Sequence, residues 1–301
     1  MATVTTKGPT LTLNNGVSMP AFGLGVYQSK PEETVHAVKT AIEGGYGLID
    51  TAAAYFNERQ VGEGLRQSGV DRKNIFITTK LWMSDYGYDE TLHAFDRSMR
   101  KLGLDYLDLY LLHWPVPNDF DRTVAAYKAA EKLLAEKRVR AIGVCNFSPQ
   151  HLKDLLARTS VTPAVNQVEL HPFFPQTELR EADASLGIVT QAWSPIGGVN
   201  RYSGQKPETS QDPLSHPTVT RLGHKYGKTP AQVVLRWQVQ VGNSVIPKSV
   251  RRERILENID IFDFALTPEE LSSIEGLDTG KRGGPNPEQV NPALFTLTIQ
   301  D

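Results

Sequence analysis

The chain has little of what marks disulfide-bonded, metal-binding or membrane-spanning proteins. Its 301 residues include one cysteine, Cys145, which excludes an internal disulfide and any site built from several cysteines. No apolar run approaches the ~20 residues that cross a bilayer, and the first residues lack the apolar core of a secretory signal. We therefore expect a cytoplasmic protein without a membrane partner.

Neither sign of charge is in excess. Lysine and arginine number 32 and aspartate and glutamate 34, which gives a formal net charge of -2. Nucleic-acid-binding domains usually carry a basic excess, so we expect no nucleic-acid partner. The seven histidines form no H-x-H or H-E-x-x-H motif, which disfavours a metal-dependent hydrolase and predicts no bound metal. The composition is that of a globular protein, and we expect a monomer that acts on a small molecule.

Short β-branched or leucine-rich runs alternate with longer amphipathic segments along most of the chain. Eight of the short runs are typical of strands, and they lie at residues 21–25, 47–50, 75–80, 107–113, 141–147, 164–170, 188–194 and 244–248. Helical patterns lie between them at residues 31–45, 57–69, 89–103, 123–137, 148–159 and 229–242. Several of these segments begin with Pro, Ser, Thr or Asp and end at Gly. Eight such units predict an α/β fold of the (β/α)8 TIM-barrel type, with residues 1–301 as one domain.

An open, doubly wound sheet is the main alternative architecture. Such a sheet usually carries a G-x-G-x-x-G turn after an early strand, and the sequence contains none, so the barrel is favoured. Before the first predicted strand, the alternation on either side of Asn15-Gly16 predicts an N-terminal β-hairpin.

Two segments are too rich in Gly, Pro and polar residues to be ordinary barrel connections. Residues 197–217 are far longer than the usual short loop, so we interpret them as a functional loop at the C-terminal face of the barrel. The tail from Gly280 onward is similar in composition, and Leu294 and Phe295 are expected to dock it onto the barrel.

Each predicted strand becomes polar at the same end. The polar or aromatic residues at these ends are Asp50, Lys80, His113, Asn146, Gln167, Glu169, Trp193, Ser194 and Lys248. In a (β/α)8 barrel the carboxyl ends of the strands converge on one mouth, where the active site lies. We therefore expect these side chains to meet there, together with Tyr55 from the loop after the second predicted strand.

Four of these residues suit the chemistry of carbonyl reduction. A phenol has a pKa near ~10, which is too high for ready proton donation at neutral pH, but a nearby ammonium lowers the pKa of a phenol. Lys80 can supply this ammonium to Tyr55, and Asp50 can keep Lys80 charged and oriented. His113 can donate a hydrogen bond to the substrate carbonyl oxygen or share the proton.

At these residues the sequence resembles the aldo-keto reductase superfamily, from "GLGVY" to "IPKSVRRERILEN". The family block D-T-A-x-x-Y-G-N-E-x-x-V-G is matched from Asp50 to Gly62, with Phe56 where glycine is usual. The segments "TTKLW" and "LLHWP" supply Lys80 and His113. The resemblance implies a catalytic tetrad with Tyr55 as the general acid, consisting of Asp50, Tyr55, Lys80 and His113.

The resemblance also implies NADPH as the cofactor. In the family, the residues matching Asn146 and Gln167 hold the nicotinamide carboxamide, and an aromatic residue stacks on the ring. Here that residue is Trp193, as in the bacterial branch that resembles 2,5-diketo-D-gluconate reductases, and Cys145 replaces a usual serine. The segment "PKSVRRERILEN" is similar to the family segment that holds the 2′-phosphate and adenine. The implied cofactor-binding residues are Asn146, Gln167, Trp193, Ser194, Lys248, Ser249, Val250, Arg254 and Asn258.

The resemblance implies that the long loop at 197–217 and the tail after Gly280 determine substrate specificity at the C-terminal face. Aromatic residues beside the tetrad are expected to form the substrate pocket. Tyr27, Trp82 and Trp114, with His113, would surround the reacting carbonyl group with apolar walls. The predicted function is NADPH-dependent reduction of aldehydes or ketones to alcohols. Two alternatives are an NADPH-binding regulatory protein with incidental turnover and a lyase that forms a Schiff base on Lys80.

Overall fold

The first elements along the chain form a small antiparallel hairpin. In the computed structural model, which describes residues 5–198 and 212–300, β1 (Thr10–Thr12) pairs with β2 (Ser18–Pro20). Gly16 lies in the turn with φ 83, a left-handed conformation that glycine adopts at little cost. The Asn15-Gly16 turn signal therefore predicted this hairpin correctly.

Eight parallel strands then form one sheet whose neighbours follow chain order. They are β3 (Gly23–Gly25), β4 (Leu48–Asp50), β5 (Phe76–Leu81), β6 (Leu107–Leu112), β7 (Val139–Cys145), β8 (Val165–Glu169), β9 (Val189–Trp193) and β10 (Ser244–Val245). Parallel bridges from Phe22 to Val245 and from Gly25 to Lys248 bring β3 alongside β10. The sheet therefore closes into the predicted (β/α)8 barrel rather than remaining open.

Ten α-helices in the described residues surround the barrel. They are α1 (Pro31–Glu43), α2 (Glu58–Ser68), α3 (Tyr88–Leu102), α4 (Phe120–Ala135), α5 (Pro149–Leu156), α6 (Thr177–Ser185), α7 (Pro217–Tyr226), α8 (Pro230–Gln240), α9 (Arg252–Ile259) and α10 (Pro268–Glu275). None of these helices is long and apolar enough to cross a membrane.

The sequence pattern did not predict α6, α7 and α10. The buried residues of α6 are Leu179 and Asp183, and α10 buries only Ile274, so neither helix has a long apolar stripe. The segment 197–217 was interpreted as a loop, but its last residue is the first residue of α7. Residues 199–211 of that segment lie outside the described residues.

Alternate residues of a β-strand point to the same side of the sheet, here the inside of the barrel. Along each strand these inward residues are apolar at the start and polar at the carboxyl end. Leu48, Phe76, Leu109 and Val165 belong to one buried cluster, which also contains Leu13 and Met19 of the N-terminal hairpin. Two residues further along the strands, or four in β5 and β6, the same face carries Asp50, Lys80, His113 and Gln167. The hairpin thus contributes to the apolar end of the barrel, and the polar residues lie at the carboxyl ends of the strands.

Candidate active site

Lys80 is the buried centre of the candidate site. Its Nζ atom donates to Asp50 Oδ1 at 2.5 Å and to the carbonyl oxygen of Thr51 at 2.9 Å. The same Nζ atom is 3.4 Å from the phenol oxygen of Tyr55. The side chains of Lys80 and Asp50 are 0% and 1% exposed, so water does not solvate either charge. The attraction between the two charges offsets the free-energy cost of burying them. The structure therefore brings together the three groups that the sequence predicted as a unit.

A chain of amides continues from Asp50 across the inside of the barrel. Burial raises the pKa of Asp50, while the charge and hydrogen bond of Lys80 and a hydrogen bond from Gln167 act in the opposite direction. Gln167 Nε2 donates to Asp50 Oδ2 at 2.8 Å and to Gln191 Oε1 at 2.7 Å. Gln191 donates in turn to Ser244 Oγ at 2.9 Å. Gln191 and Ser244 were not among the residues predicted from the sequence, although Gln191 shares the inward face of β9 with Trp193.

His113 lies at the end of β6 beside Tyr55. The ring centroids of Tyr55 and His113 are 5.7 Å apart, and Trp82 meets His113 edge-on at 5.2 Å. Burial, and then the positive charge of Lys80, hold the pKa of His113 well below its ordinary value. His113 is therefore neutral at neutral pH, and a neutral imidazole has one nitrogen that donates a hydrogen bond.

The loop after β4 holds Tyr55 in a short turn. Phe56 follows with φ 55, in the left-handed region where a residue with a side chain is strained by roughly 1–2 kcal/mol. This conformation explains why glycine suits the position. Thr51 donates to Asn57 Oδ1 at 2.7 Å, and Asn57 donates to the carbonyl oxygen of Val26 at 2.9 Å. These buried hydrogen bonds help to fix the turn despite the strained phenylalanine.

Asn146 and Trp193 meet next to the tetrad. Asn146 Nδ2 donates to the carbonyl oxygen of His113 at 3.1 Å, and Trp193 Nε1 donates to Asn146 Oδ1 at 2.9 Å. Trp193 and Ser194 are half-buried, and the indole of Trp193 could offer a surface to a planar ring.

Neighbouring Cys145 is buried, and burial raises the pKa of its thiol, which is therefore neutral and unreactive.

The residues predicted to hold the cofactor phosphate lie apart from the tetrad, around the start of α9. Lys248 is half-buried, and burial lowers its pKa, with Glu33 acting in the opposite direction. Ser249 is 9% exposed and Asn258 6%, whereas Arg254 is exposed. Val250 lies between these groups and is half-buried.

The chemistry of this second group fits an anion. Among the described residues, neither Lys248 nor Arg254 has an ion-pair partner. Two cations at the N-terminal end of a helix are a suitable environment for a phosphate group. The residues present therefore fit a phosphorylated dinucleotide.

Aromatic residues and the C-terminal tail line the mouth beside His113. Trp82 Nε1 donates to the carbonyl oxygen of Leu297 at 2.8 Å, and Trp114 stacks on Phe295 with centroids 6.5 Å apart. Tyr27, 42% exposed, has its ring centroid 5.0 Å from that of Tyr55. Docking of the tail through Phe295 was predicted correctly, whereas the prediction for Leu294 was wrong, because this side chain is 66% exposed.

No group of three or more His, Cys, Asp or Glu side chains in residues 5–198 and 212–300 is arranged to hold a metal ion. Within these residues, the assembled site is an ion pair, a phenol, a neutral imidazole and several amides. Such groups can donate a proton, donate hydrogen bonds to a carbonyl oxygen and hold a flat amide.

Comparison with known proteins identifies close relatives along nearly the whole chain. The sequence matches the model of the Aldo/keto reductase family over residues 19–279. It is 53% identical to morphine 6-dehydrogenase of Pseudomonas putida over 96% of this chain and 98% of that protein. It is 46% identical to glyoxal reductase of Bacillus subtilis over 93% and 97%. The crystal structure of a Bombyx mori aldo-keto reductase in complex with NADP superposes with a TM-score of 0.85 at 36% identity, covering 94% and 96% of the two chains.

Proposed function

The chain belongs to the aldo/keto reductase family, and from that premise we propose that it reduces aldehydes or ketones to alcohols with NADPH and with Tyr55 as the proton donor. The family and the reductase names of its relatives make the protein an oxidoreductase. One observation carries the assignment of Tyr55. The buried Lys80 ammonium, paired with Asp50, lies 3.4 Å from the Tyr55 phenol oxygen.

Each member of the tetrad has a separate task in the proposed proton transfer. Tyr55 gives its phenol proton to the carbonyl oxygen as that oxygen gains negative charge. Lys80 stabilises the negative charge left on the phenol oxygen, and Asp50 keeps Lys80 charged and in place. Neutral His113 donates a hydrogen bond to the same carbonyl oxygen, which orients the substrate toward Tyr55. NADPH, when bound, would supply the hydride.

Two groups of residues would hold the cofactor. Asn146, Gln167 and Trp193 lie together beside the tetrad and suit the carboxamide and ring of nicotinamide. Lys248 and Arg254, with Ser249, suit a 2′-phosphate because two cations without an ion-pair partner among the described residues lie with a hydroxyl at a helix start. This charge favours NADPH over NADH. The NADP complex of the Bombyx mori relative supports the same assignment.

The substrate is expected to be a small carbonyl compound with apolar surface. Trp82, Trp114 and Phe295 form an aromatic wall around His113. Such walls bind ring-bearing or aliphatic groups and leave the carbonyl group facing the polar tetrad. The names of the two relatives, a morphine dehydrogenase and a glyoxal reductase, are consistent with ring-bearing and small dicarbonyl compounds as starting points for a substrate panel.

The Schiff-base alternative is disfavoured by the position of Lys80. A nucleophilic lysine must lose its proton and reach the substrate, but Lys80 is 0% exposed and donates to Asp50 and to the Thr51 carbonyl oxygen. The alternative of a regulatory NADPH-binding protein is tested by measuring whether turnover depends on Tyr55. Slow turnover that does not depend on Tyr55 would favour it.

Replacing Tyr55 by phenylalanine tests the proposal most directly. Phenylalanine keeps the ring but has no proton to donate, so kcat should fall at least ~10²-fold. NADPH binding, followed by quenching of tryptophan fluorescence, should be nearly unchanged. Turnover is measured by the loss of NADPH absorbance with a panel of aldehydes and ketones.

Tyr88→Phe is the matched control for this experiment. Tyr88 is an exposed tyrosine at the start of α3, and its loss of a hydroxyl should leave turnover unchanged. Equal turnover of Tyr55→Phe and the unsubstituted protein would refute the assignment of Tyr55.

A further inference from the structure

A second buried carboxylate lies at the mouth of the barrel, outside the tetrad. Glu169 is the last residue of β8 and is 0% exposed. Its Oε1 atom accepts from the backbone N–H of Gly283 at 2.6 Å, and its Oε2 atom accepts from the N–H of Gly284 at 2.9 Å. These partners belong to the C-terminal strap, which we define as residues 282–297. Glu169 therefore ties the strap to the barrel across more than a hundred residues of sequence.

Two further groups keep this carboxylate charged. His171 Nε2 donates to Glu169 Oε1 at 3.1 Å, and the Arg282 guanidinium lies 3.7 Å from Oε2. Although burial acts to raise the pKa of Glu169, the hydrogen bonds from His171, Gly283 and Gly284 outweigh it and lower the pKa. An anionic acceptor forms stronger hydrogen bonds with backbone N–H groups than a neutral one does.

Gly284 also contacts the indole of Trp193. A Cβ atom on Gly284 would lie 2.6 Å from Trp193 Cη2 and 2.9 Å from Glu169 Oε2, so a glycine is needed for this close approach. The opposite edge of the indole is fixed because Nε1 donates to Asn146 Oδ1 at 2.9 Å. Trp193 is therefore held at one edge by Asn146 and at the other by the strap.

The strap lies over a cavity next to this contact, at Arg282 and from Asn286 to Glu288. A cavity of about 460 Å³ lies between the strap and the loops after β7 and β8, and its lining includes Asn146, Phe174, Arg282 and Glu288. Glu288 reaches across to His151 Nε2 at 3.2 Å. Val290 and Phe295 anchor the later part of the strap on the apolar core, whereas the contacts of Glu169 with Gly283 and Gly284 are those that lie against the indole.

We propose that Glu169 is a positioning residue, which holds Gly283 and Gly284 of the strap so that Gly284 fixes the Trp193 indole at the nicotinamide site. The assignment of the nicotinamide to Trp193 rests on the proposed function, but the tie between Glu169 and the strap does not. Loss of the tie should release the strap and let the indole tilt. Binding of the nicotinamide half of the cofactor should then weaken.

The tie is tested in the cofactor-free protein by limited trypsin digestion. The strap contains Arg282, and Lys281 precedes it, so trypsin can cleave on both sides of Arg282 once the strap opens. In Glu169→Gln, one oxygen is replaced by an NH2 group that cannot accept from a glycine N–H. Cleavage at these two bonds, measured by mass spectrometry, should become about 10-fold faster or more. An unchanged cleavage rate in Glu169→Gln overturns the proposal.

The effect on the cofactor site is tested with a second variant. In Gly284→Ala the new Cβ atom meets Trp193 and Glu169, so the Kd values of NADPH and NADH should both rise about 10-fold, because both share the nicotinamide. Gln289→Ala removes an exposed polar side chain of the strap and should change both Kd values less than ~2-fold. Unchanged Kd values in both Gly284→Ala and Glu169→Gln overturn the link to Trp193.

The two failures are distinguishable. If the unsubstituted protein binds neither nucleotide, the proposed function fails, and trypsin digestion still decides whether Glu169 holds the strap. If Glu169→Gln does not fold, Gly284→Ala decides by the same digestion, with faster cleavage expected and an unchanged rate contradicting the tie.

Discussion

Lys80 has a structural role as well as a chemical one, and this affects how substitutions in the site are interpreted. Lys80 and Asp50 are both fully buried, so removing either leaves the other charge uncompensated, which commonly costs about 3–5 kcal/mol of stability. Tyr55 is half-buried and is not part of the ion pair. Loss of activity on changing Tyr55 therefore reports on proton donation, whereas changes at Asp50 or Lys80 combine stability and chemistry.

Arg254 should determine the preference for a phosphorylated cofactor. It is exposed at the start of α9 and has no ion-pair partner among the described residues, so its guanidinium can form two parallel hydrogen bonds with a 2′-phosphate. In Arg254→Ala, we expect the Kd of NADPH to rise about 10- to 100-fold and the Kd of NADH to change less than ~2-fold. Both are measured by fluorescence titration.

Arg100→Ala on α3 is the control for this measurement. Arg100 is also exposed but lies on a helix far along the chain from α9, and its loss should leave both Kd values unchanged. An equal weakening of NADPH and NADH in Arg254→Ala would remove the assignment of the 2′-phosphate to this residue.

Residues at the strand ends were predictable from the sequence, whereas the contacts made by the strap were not. Asp50, Lys80 and His113 lie at the carboxyl ends of three largely apolar strands, and the strands of one parallel barrel end at the same mouth. Glu169 was recognised as such a strand end, but its partners Gly283 and Gly284 carry no side chain that marks them as hydrogen-bond donors. Backbone donors in an irregular tail leave no pattern in the sequence.

At the scale of elements, helices were predictable where they bury an apolar stripe. α3 buries six residues at helical spacing, including Phe95 and Leu102, and was predicted almost to its ends. α6 was missed because one of its two buried residues is the acidic Asp183. An aspartate is normally predicted to lie at the surface. The burial of Asp183 is explained only by its hydrogen-bond partners on β8 and β9, Asn166 and Thr190.

Asp183 should make the packing of α6 against the barrel depend on pH. Asp183 is 0% exposed and accepts from Thr190 at 2.8 Å and from Asn166 at 3.2 Å. Burial raises its pKa to about 7, and the hydrogen bonds from Thr190 and Asn166 offset only part of this rise. Between its ordinary pKa of 3.8 and about 7, the folded protein holds a proton that the unfolded chain has released. The contribution of Asp183 to stability therefore falls as the pH rises through this window.

Asp183→Asn should remove this dependence, because asparagine resembles the protonated acid and Thr190 can either donate or accept. At about pH 8 we expect the variant to be more stable than the unsubstituted protein by roughly 1–3 kcal/mol, and near pH 4 the difference should vanish. Urea unfolding across this range measures it. Asp105→Asn, an exposed change in the turn before β6, should show no such trend. Parallel pH curves for Asp183→Asn and the unsubstituted protein would contradict the pKa assigned.

At the scale of the whole molecule, the ring of strands closes through a short seam between β3 and β10. β5 and β6 pair at four positions and β6 and β7 at five, whereas β10 has two residues and joins β3 through isolated bridges. At this seam Val245 donates to the carbonyl oxygen of Ala21 at 2.9 Å, and Gly25 donates to that of Pro247 at 3.2 Å. A Cβ atom on Gly25 would lie 2.8 Å from the carbonyl oxygen of Ile246, so the close approach needs glycine.

The seam should therefore open at a lower free energy than the rest of the barrel, and the cofactor should close it. Lys248, proposed to hold the phosphate, bridges to Gly25 at this seam, and Ser249 follows it, so NADPH would bind the seam in its closed form only. Hydrogen exchange measured by mass spectrometry should be faster in peptides covering β3 and β10 than in those covering β6 and β7. Saturating NADPH should slow the seam peptides most. Equal exchange around the ring in the cofactor-free protein would show that the seam is no weaker than the other strand pairs. Uniform protection by NADPH would show that closure of the seam does not depend on the cofactor site.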